Sequence, residues 1–454
     1  MEMNKENNNI ETGIMKENLN EEEIRKYCLN CVNKPCSNKG CPLQNNIPNF
    51  IHEEDYKKAF DILCTTTVLP AICGRICPHE KQCQGSCIRG IKKEPVSIGK
   101  MESIIGDKSI ENNLKIKKNI DSNLEQYKVA IIGGGPAGLT CAAFLAKEGI
   151  SVTIYEKYDA LGGILIHGIP EFRLSKNIVK QTVNKILDLG IKTELNKELG
   201  KDFKLQDLID KYDAIFIGIG ANIPSKMNID GEELDGVYGG NTLLEKNNHP
   251  NYNNKKVAVI GGGNVAMDTA RTIKKLGAKN VYVIYRRSEK EMPAEKKEIS
   301  EAKEEGIEFL FQTNIIKILD KESCGDNKEK ESSKSTDISK NQLKVGKIEC
   351  IKTELVQKEG EDRLIPVNIK DSNYFIDVDY VVMAIGSKPE EKVIQQFGKN
   401  KWGYVQVDEN MQTSIPKVFA GGDIVGEKST VAWASRSGRE AANKIIEYLL
   451  KDTK

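Results

Sequence analysis

Apolar residues in this chain are grouped in short blocks, and several of these blocks end in glycine. The block that starts at Lys128 is followed by a glycine-rich turn, a helical pattern and a second apolar strand that ends at Glu156. The segment from Lys255 to Arg287 repeats the same order of strand, turn, helix and strand. This order is typical of dinucleotide-binding βαβ units, so the sequence predicts an α/β chain with two Rossmann-like domains.

Two further apolar strands bracket the second unit, at residues 214–220 and 380–386. We therefore expect the second domain to be inserted in the first, whose chain returns after about residue 375. The predicted bounds are 126–250 and 375–454 for the outer domain and 251–374 for the inserted domain, with a low-complexity polar loop at 321–342.

The first quarter of the chain has another character. Nine of the twelve cysteines lie between Cys28 and Cys87, among short helical patches. Residues 21–125 are therefore predicted to form an α-helical, cysteine-rich domain. Residues 1–20 are polar and rich in Asn and Glu, and predict a disordered tail.

Charge and hydropathy exclude several classes of function. The formal net charge of the 454 residues is +1, so the chain lacks the excess of positive charge that is typical of proteins that bind nucleic acid. The sequence contains no run of 18 or more apolar residues, which is about the length that a membrane-spanning helix needs. The first twenty residues lack the apolar stretch of a signal peptide, so we expect a cytoplasmic protein. In a reducing cytosol, clustered cysteines favour metal binding over disulfides.

The first glycine turn predicts a pyrophosphate site. Gly133, Gly135 and Gly138 form G-x-G-x-x-G between a strand and a helix, where glycines allow close approach of the backbone to phosphate. Glu156 stands where an acid hydrogen-bonds a ribose hydroxyl. Gly163 is a further predicted contact. A glycine-rich turn without a ligand is the alternative.

The second turn carries a different specificity signal. Its predicted cofactor contacts are Gly261, Gly263, Asn264 and Ala266. Arg286 and Arg287 replace the acid at the end of the next strand. Because a guanidinium pairs with a 2′-phosphate that an acid would repel, the pair favours NADPH over NADH. Two exposed surface arginines are the alternative.

A third motif lies near the carboxyl terminus, where Gly421, Gly422 and Asp423 follow a short strand and precede a helix. This motif resembles the second flavin-contact motif of flavoproteins with two dinucleotide-binding domains. The resemblance implies that Asp423 and Gly422 contact FAD, which the outer domain would bind, and that NADPH binds the inserted domain. The alternative for Asp423 is a helix cap or a turn aspartate.

The cysteines fall into two groups. One group is Cys28-x2-Cys31-x4-Cys36-x4-Cys41-Pro, and the other is Cys73-x3-Cys77-Pro-x4-Cys83-x3-Cys87. Dense thiolates next to Cys-Pro are typical of two-cluster ferredoxins, with two four-thiolate zinc sites as the alternative. Outside this region no cysteine pair suits a disulfide reductase, so electrons from a flavin need another exit, which the cysteine-rich domain supplies.

The chain from about residue 22 to residue 449 resembles the small-subunit family of glutamate synthase. It is also similar to the NADPH-binding subunit of electron-bifurcating ferredoxin–NADP oxidoreductase and to the N-terminal half of dihydropyrimidine dehydrogenase. The segments that carry this resemblance are CLNCVNKPCSNKGCPLQNNIPNFI, PAICGRICPHEKQCQGSCIRG, EPVSIGKMES, LGGILIHGIPEFRL, YRRSEKEMPAEKKEISEAKEEGIEF and AGGDIV.

The resemblance implies a ligand set for two [4Fe-4S] clusters. One cluster would be held by Cys28, Cys31, Cys36 and Cys87, and the other by Cys41, Cys77, Cys83 and Glu102. Cys73 matches a cysteine that is not a ligand in these relatives. The segment between Cys36 and Cys41 is one residue longer than is usual. A surface glutamate on a helix is the alternative for Glu102.

The resemblance further implies hydride transfer from NADPH to FAD and single-electron transfer through the clusters to a second redox subunit. No side-chain acid or base is needed, so no catalytic residue is predicted. We expect the NADPH-oxidising small chain of glutamate synthase, in an oligomer. The alternatives are the NADPH-binding subunit of the bifurcating NADH-dependent oxidoreductase and a non-catalytic scaffold that binds zinc.

Overall fold

The structure is a computed structural model that describes residues 20–322, 343–358, 363–426 and 428–451. The chain divides into two compact units, one formed by Met1–Ala221 with Pro389–Lys454 and the other by Asn222–Lys388. Except for Asn20, the predicted disordered tail lies outside the described residues, as do residues 323–342 of the predicted polar loop.

The cysteine-rich part of the first unit consists of short helices. They are α1 (Glu21–Tyr27), α2 (Ile47–His52), α3 (Tyr56–Leu63), α4 (Pro70–Ile76) and α5 (Ile98–Glu111), with a π-helical turn at Cys36–Gly40 and 3-10 turns at His79–Lys81, Gln84–Ser86 and Ile88–Ile91. Local sequence sets several of their starts. Asn20 and Glu23 form a capping box at α1, and the Asp55 carboxylate accepts the first backbone N–H groups of α3.

The first dinucleotide-binding fold follows directly. Its elements are β1 (Lys128–Ile132), α6 (Pro136–Lys147), β2 (Ser151–Tyr155), α7 (Ile164–His167), α8 (Lys176–Leu187), β3 (Lys192–Glu194), α9 (Leu205–Ile209) and β4 (Ala214–Ile217). The strands β1 and β4 are buried runs of Val, Ala, Ile and Phe, as expected for a parallel sheet that is covered on both faces.

The second unit holds a second parallel sheet and a small antiparallel one. Its elements are β5 (Ile223–Pro224), β6 (Val237–Gly239), α10 (Gly240–Lys246), β7 (Lys256–Ile260), α11 (Asn264–Lys275), β8 (Asn280–Tyr285), a 3-10 turn (Glu289–Glu291), α12 (Lys296–Glu304), β9 (Glu308–Phe311), β10 (Thr313–Asp320), β11 (Val345–Val356), β12 (Ile365–Asn368), β13 (Tyr374–Asp377), β14 (Tyr380–Met383) and β15 (Ser387–Lys388). The parallel order is β6-β14-β7-β8-β9, the antiparallel sheet pairs β11 with β10, β12 and β13, and β15 pairs with β5.

The second unit is wider than the predicted span 251–374. The strand β14 lies between β6 and β7, with Val381 paired to both Val237 and Ala258. The predicted bounds place β6 and β14 in the outer domain, whereas the structure places both strands in the second unit. Short apolar strands of two similar sheets have the same pattern, so only their long-range pairing assigns them.

The chain then returns to the first unit through α13 (Glu391–Ile394), β16 (Val418–Ala420), a 3-10 turn (Gly422–Val425) and α14 (Val431–Lys451). The strand β16 pairs with β4 and completes the parallel order β16-β4-β1-β2-β3. The long helix α14 lies along α6, the helix that starts at the first glycine turn. No helix in the described ranges is both long and apolar enough to cross a membrane.

The cysteine-rich helices and the first sheet share one hydrophobic core. Two lysines of the dinucleotide-binding fold also reach across to carbonyl groups of the cysteine-rich part. Lys147 Nζ donates to Cys64 O at 2.8 Å, and Lys185 Nζ donates to Ser109 O at 2.9 Å. The shared core and these two hydrogen bonds hold the cysteine-rich part and the first glycine turn together in one compact unit.

Candidate functional site

The first glycine turn is closed by two contacts that exclude any side chain. Gly133 has φ +98°, and a β-carbon there would stand 2.6 Å from Gly218 O. A β-carbon on Gly138 would stand 1.9 Å from Gly133 O. The helix α6 begins immediately after the turn, with Pro136 as its first residue. Its free N–H groups face the place where a pyrophosphate would bind.

Glu156 braces this turn from the end of β2. Its carboxylate is 4% exposed. Oε2 accepts the N–H of Gly134 at 2.7 Å, and Oε1 accepts the N–H of Tyr158 at 3.0 Å. A carboxylate has about four acceptor positions, so both oxygens can still accept a bond from a ribose hydroxyl.

Gly163, a predicted cofactor contact, lies against the first glycine turn. Its φ is +52°, and a β-carbon there would stand 2.9 Å from the Cα of Gly135. The N–H of Gly162 donates to Gly134 O at 2.8 Å. On Gly135 itself, a β-carbon would meet only the Cα of Gly163, at 3.9 Å. This open side, bounded by glycines, fits a pyrophosphate.

The third motif lies at the end of β16. Gly422 has φ +77°, and its N–H donates to Ser437 Oγ at 2.9 Å. Asp423 is half-buried, and burial raises its pKa to about 6. Within the described residues its carboxylate has no hydrogen-bond partner, and it does not cap α14, which begins at Val431. A carboxylate without a partner fits a hydroxyl-rich ribityl chain.

The turn of the second unit is built in the same way. Gly261 has φ +140°, and a β-carbon there would stand 2.2 Å from Ala384 O. A β-carbon on Gly263 would meet only Pro293 Cγ, at 3.9 Å, so this side of the turn is open to a phosphate. Asn264 Oδ1 accepts the N–H of Glu295 at 3.1 Å, which ties α11 to the start of α12. The side chain of Ala266 is fully buried.

The arginines after β8 differ in their surroundings. Arg286 is exposed, and its backbone oxygen accepts from Thr353 Oγ1 at 2.8 Å. Arg287 is half-buried, and its Nε is buried without a hydrogen-bond partner in the described part of the chain. A buried donor without a partner is costly, so it fits an anionic ligand. The view that both arginines are mere surface residues does not hold for Arg287.

A third arginine, which the sequence motif does not include, belongs to this region. Burial raises the pKa of Tyr285, while the charges of Arg287, Arg286 and Arg363 oppose that rise. Arg363 precedes β12 and is therefore far along the chain from the turn. No spacing rule could have found it.

The first predicted cysteine set lines one pocket. The volume of this pocket is about 340 Å³, which includes space open to solvent, and its wall contains Cys28, Cys31, Cys36 and Cys87. Apolar residues complete the wall, including Ile47, Pro48, Ile51, Val96 and Ile98. Burial raises the pKa of Cys36 to about 11, and its neighbour Cys87 adds to this rise. Four cysteines that converge on one pocket fit a [4Fe-4S] cluster, whose cationic core binds thiolates.

The second predicted set is more deeply buried. Burial and the neighbouring Glu102 raise the pKa of Cys41 to about 12. Burial, Cys41 and Glu102 likewise raise the pKa of Cys83. A hydrogen bond with Cys73 and burial raise the pKa of Cys77. The structure thus brings the predicted ligands together and also places Cys73 beside them.

Glu102 is a buried residue of α5, so its interpretation as a surface glutamate is wrong. It is 5% exposed, and burial raises its pKa to about 8. Its Oε1 accepts from Asn45 Nδ2 at 3.2 Å. No three His, Cys, Asp or Glu side chains in the described ranges are close enough to hold one metal ion. In a [4Fe-4S] cluster each ligand binds a different iron, so such ligands stand farther apart.

Comparison with known proteins identifies the family. The profile of pyridine nucleotide-disulphide oxidoreductases matches residues 127–441, and that of dihydropyrimidine dehydrogenase domain II, 4Fe-4S cluster, matches residues 3–114. The glutamate synthase [NADPH] small chain of Escherichia coli is 34% identical, over 93% of this chain and 90% of the relative. The chain belongs to the glutamate synthase small-chain family. This confirms the predicted family, and with it the predicted class of NADPH-dependent flavin oxidoreductases.

The chain is also similar to proteins with other names. The NADP(+)-dependent formate dehydrogenase subunit beta of Moorella thermoacetica is 33% identical, over 93% of this chain and 61% of the relative. The solved structure of Mycobacterium tuberculosis FprA in complex with NADPH superimposes with a TM-score of 0.60 at 18% identity, over 72% of this chain and 85% of FprA. Together with the two profiles, this confirms the fold class of two Rossmann-type sheets preceded by an iron–sulfur domain.

Proposed function

We propose that this chain is the electron-input subunit of glutamate synthase, which oxidises NADPH and delivers electrons for the formation of glutamate from glutamine and 2-oxoglutarate. The observation that carries this proposal is that two separate cysteine sets lie in the same compact unit as the first glycine turn and share its hydrophobic core. The similarity to a glutamate synthase [NADPH] small chain along 93% of the chain supports this choice of reaction.

The cofactors follow from the fit of each site. FAD would lie on the turn of Gly133, Gly135 and Gly138, with Glu156 at its ribose and Asp423 at its ribityl chain. The backbones of Gly422 and Gly163 would also contact FAD. NADPH would lie on the second turn, at Gly261, Gly263, Asn264 and Ala266, with Arg286 and Arg287 at its 2′-phosphate. When bound, these cofactors supply hydride transfer and the conversion to single electrons.

Two [4Fe-4S] clusters account for the cysteines. Cys28, Cys31, Cys36 and Cys87 would hold one cluster at the partly open pocket. Cys41, Cys77, Cys83 and Glu102 would hold the other. Of these, Cys77, Cys83 and Glu102 are buried and Cys41 is half-buried. The protein keeps water from the second set and leaves one side of the first set accessible.

The surroundings of the first set support docking of a second redox subunit. Four apolar side chains stand exposed at or next to the pocket, those of Leu29, Val32, Ile88 and Ile91. Val32 is 92% exposed and Ile91 is 77% exposed. An exposed apolar patch on a protein marks an interaction surface. The exposed residues that follow Ile91 are Lys92, Lys93 and Glu94, which carry both signs of charge, so the apolar side chains rather than the charges support docking.

The test is anaerobic isolation of the native complex from its source. The complex should contain a large amidotransferase-type chain, and it should consume one NADPH for every two glutamates that form from one glutamine and one 2-oxoglutarate. A complex that oxidises NADPH without forming glutamate, and that contains a dehydrogenase or a second flavin reductase instead, contradicts the proposal. That outcome favours a role like that of the Moorella formate dehydrogenase beta subunit. Purified protein that contains neither iron nor flavin contradicts both the glutamate synthase role and this alternative role.

A further inference from the structure

The helix α14 contacts both the cysteine-rich part and α6, the helix that follows the first glycine turn. On one side Gly438 packs against α6, with a hypothetical β-carbon 2.1 Å from Ala137 O. On the other side Arg439 Nη1 donates to Leu43 O at 2.9 Å and to Thr66 O at 2.7 Å. One short helical segment therefore spans the distance between the two sites.

The contacts of Arg439 continue to the second ligand set. Leu43 lies two residues after Cys41. Thr66, whose carbonyl binds Arg439, also donates its hydroxyl to Asn45 Oδ1 at 2.7 Å. The amide of Asn45, which is 1% exposed, then donates to Glu102 Oε1 at 3.2 Å. A continuous chain of hydrogen bonds thus joins Arg439 to the buried carboxylate.

Arg439 also brings a half-buried positive charge next to Cys41. Burial and the charge of Arg436 lower the pKa of Arg439, while the charges of Glu440 and, to a smaller extent, Cys41 oppose this change. The potential of an iron–sulfur cluster depends on net charge, on hydrogen bonds and on exposure to solvent. A fixed cation in a weakly polar interior favours the reduced cluster, which carries one more electron, because charges interact strongly there.

We propose that Arg439 is a positioning residue for the second cluster, which holds the Cys41 loop and the Asn45–Glu102 pair in place and raises the reduction potential of that cluster. This inference rests on the proposed function, because it requires two clusters in the chain. The electron that this cluster takes up would come from NADPH through the flavin, so the arginine favours electron transfer away from the flavin.

The experiment is an anaerobic redox titration of the holoprotein, followed by electron paramagnetic resonance of the reduced clusters. R439Q should shift the midpoint potential of one cluster to a lower value and leave the other unchanged. R439K keeps the charge but cannot bond both carbonyls in the same way, and should shift the same cluster less. The matched control is K444Q, since Lys444 lies on the same helix, faces solvent and pairs with Glu447.

The outcomes separate the two proposals. Wild-type protein with two clusters, whose potentials stay the same in R439Q at full iron content, overturns the inference alone. Equal shifts of both clusters, or an equal shift in K444Q, overturn it as well. Wild-type protein with one cluster overturns the proposed cofactor content and this inference together. If R439Q loses iron, the titration of R439K decides, and an unchanged potential there counts against the inference.

Discussion

Gly438 on α14 lies directly against the backbone carbonyl of Ala137, the second residue of α6. A β-carbon on Gly438 would stand 2.1 Å from Ala137 O, 2.9 Å from its carbonyl carbon and 3.1 Å from its Cα. All three atoms belong to the backbone, which cannot rotate away as a side chain can. The C-terminal helix is therefore fixed to the helix that starts at the pyrophosphate turn.

G438A should separate α14 from α6 and lower stability by about 1–3 kcal/mol, less about 1 kcal/mol gained in helix propensity. It should also weaken FAD binding, because the turn and the Asp423 motif move apart. Thermal unfolding and FAD titration of the apoprotein measure both effects. G398A is the control, since a β-carbon on Gly398 would meet Ser414 at an ordinary 3.5 Å. Equal effects of both variants contradict the prediction.

Replacing Arg286 and Arg287 with Ala should raise the Michaelis constant for NADPH and spare that for NADH. A hydrogen bond to a charged group contributes about 1.5–3 kcal/mol, which corresponds to roughly 10- to 100-fold. Steady-state kinetics with both nucleotides and an artificial acceptor measure it. K279A is the control, because the exposed Lys279 precedes the same strand, β8, at its opposite end. If both nucleotides bind equally worse, the arginines do not read the 2′-phosphate.

C83A should lower the iron and acid-labile sulfide content by roughly half, because one of two clusters loses a ligand. The matched control is C64A, which removes a thiol that is also buried but belongs to neither ligand set. Its iron content should remain that of the wild type. Metal analysis of anaerobically prepared protein decides, and full iron in C83A would remove Cys83 from the ligands.

D423N should have opposite effects on the apoprotein and on flavin binding. Burial raises the pKa of Asp423 to about 6 from an ordinary 3.8, so the folded apoprotein disfavours the ionised form. The wild type is therefore penalised as pH rises from about 4 through 6, and D423N avoids this penalty. Above pH 6 the variant should be more stable by up to about 3 kcal/mol, and the difference should vanish near pH 4.

The same D423N variant should bind FAD more weakly at pH 7, because an amide replaces the carboxylate that would accept from the ribityl chain. Urea unfolding of the apoprotein at pH 4, 6 and 8 and FAD titration at pH 7 measure the two effects. A stability difference that is constant across pH would show that Asp423 does not titrate in this range. Unchanged FAD affinity would remove it from the proposed site.

Much of the site could be predicted because its parts are local. A glycine turn needs its glycines at fixed spacing, as Gly133 and Gly138 show, and a strand that ends in Glu156 brings its acid to that turn. Arg363 could not be predicted, because it lies near Tyr285 but belongs to a segment far along the chain, just before β12. The burial of Glu102 likewise depends on how α5 packs, and the sequence pattern of the helix allows a surface position too.

The amino-acid sequence alone determined the repeated strand–turn–helix units, the residue types of the two cysteine sets and the resemblance to the glutamate synthase small-chain family. The tertiary structure alone decided that β6 and β14 belong to the second sheet, that Glu102 lies buried beside Cys41, and that Arg439 reaches the Cys41 loop from almost 400 residues farther along the chain. The physical reason is range: glycine turns and metal-ligand spacing act within a few residues, whereas strand order, burial and side-chain tethers depend on which distant segments pack together.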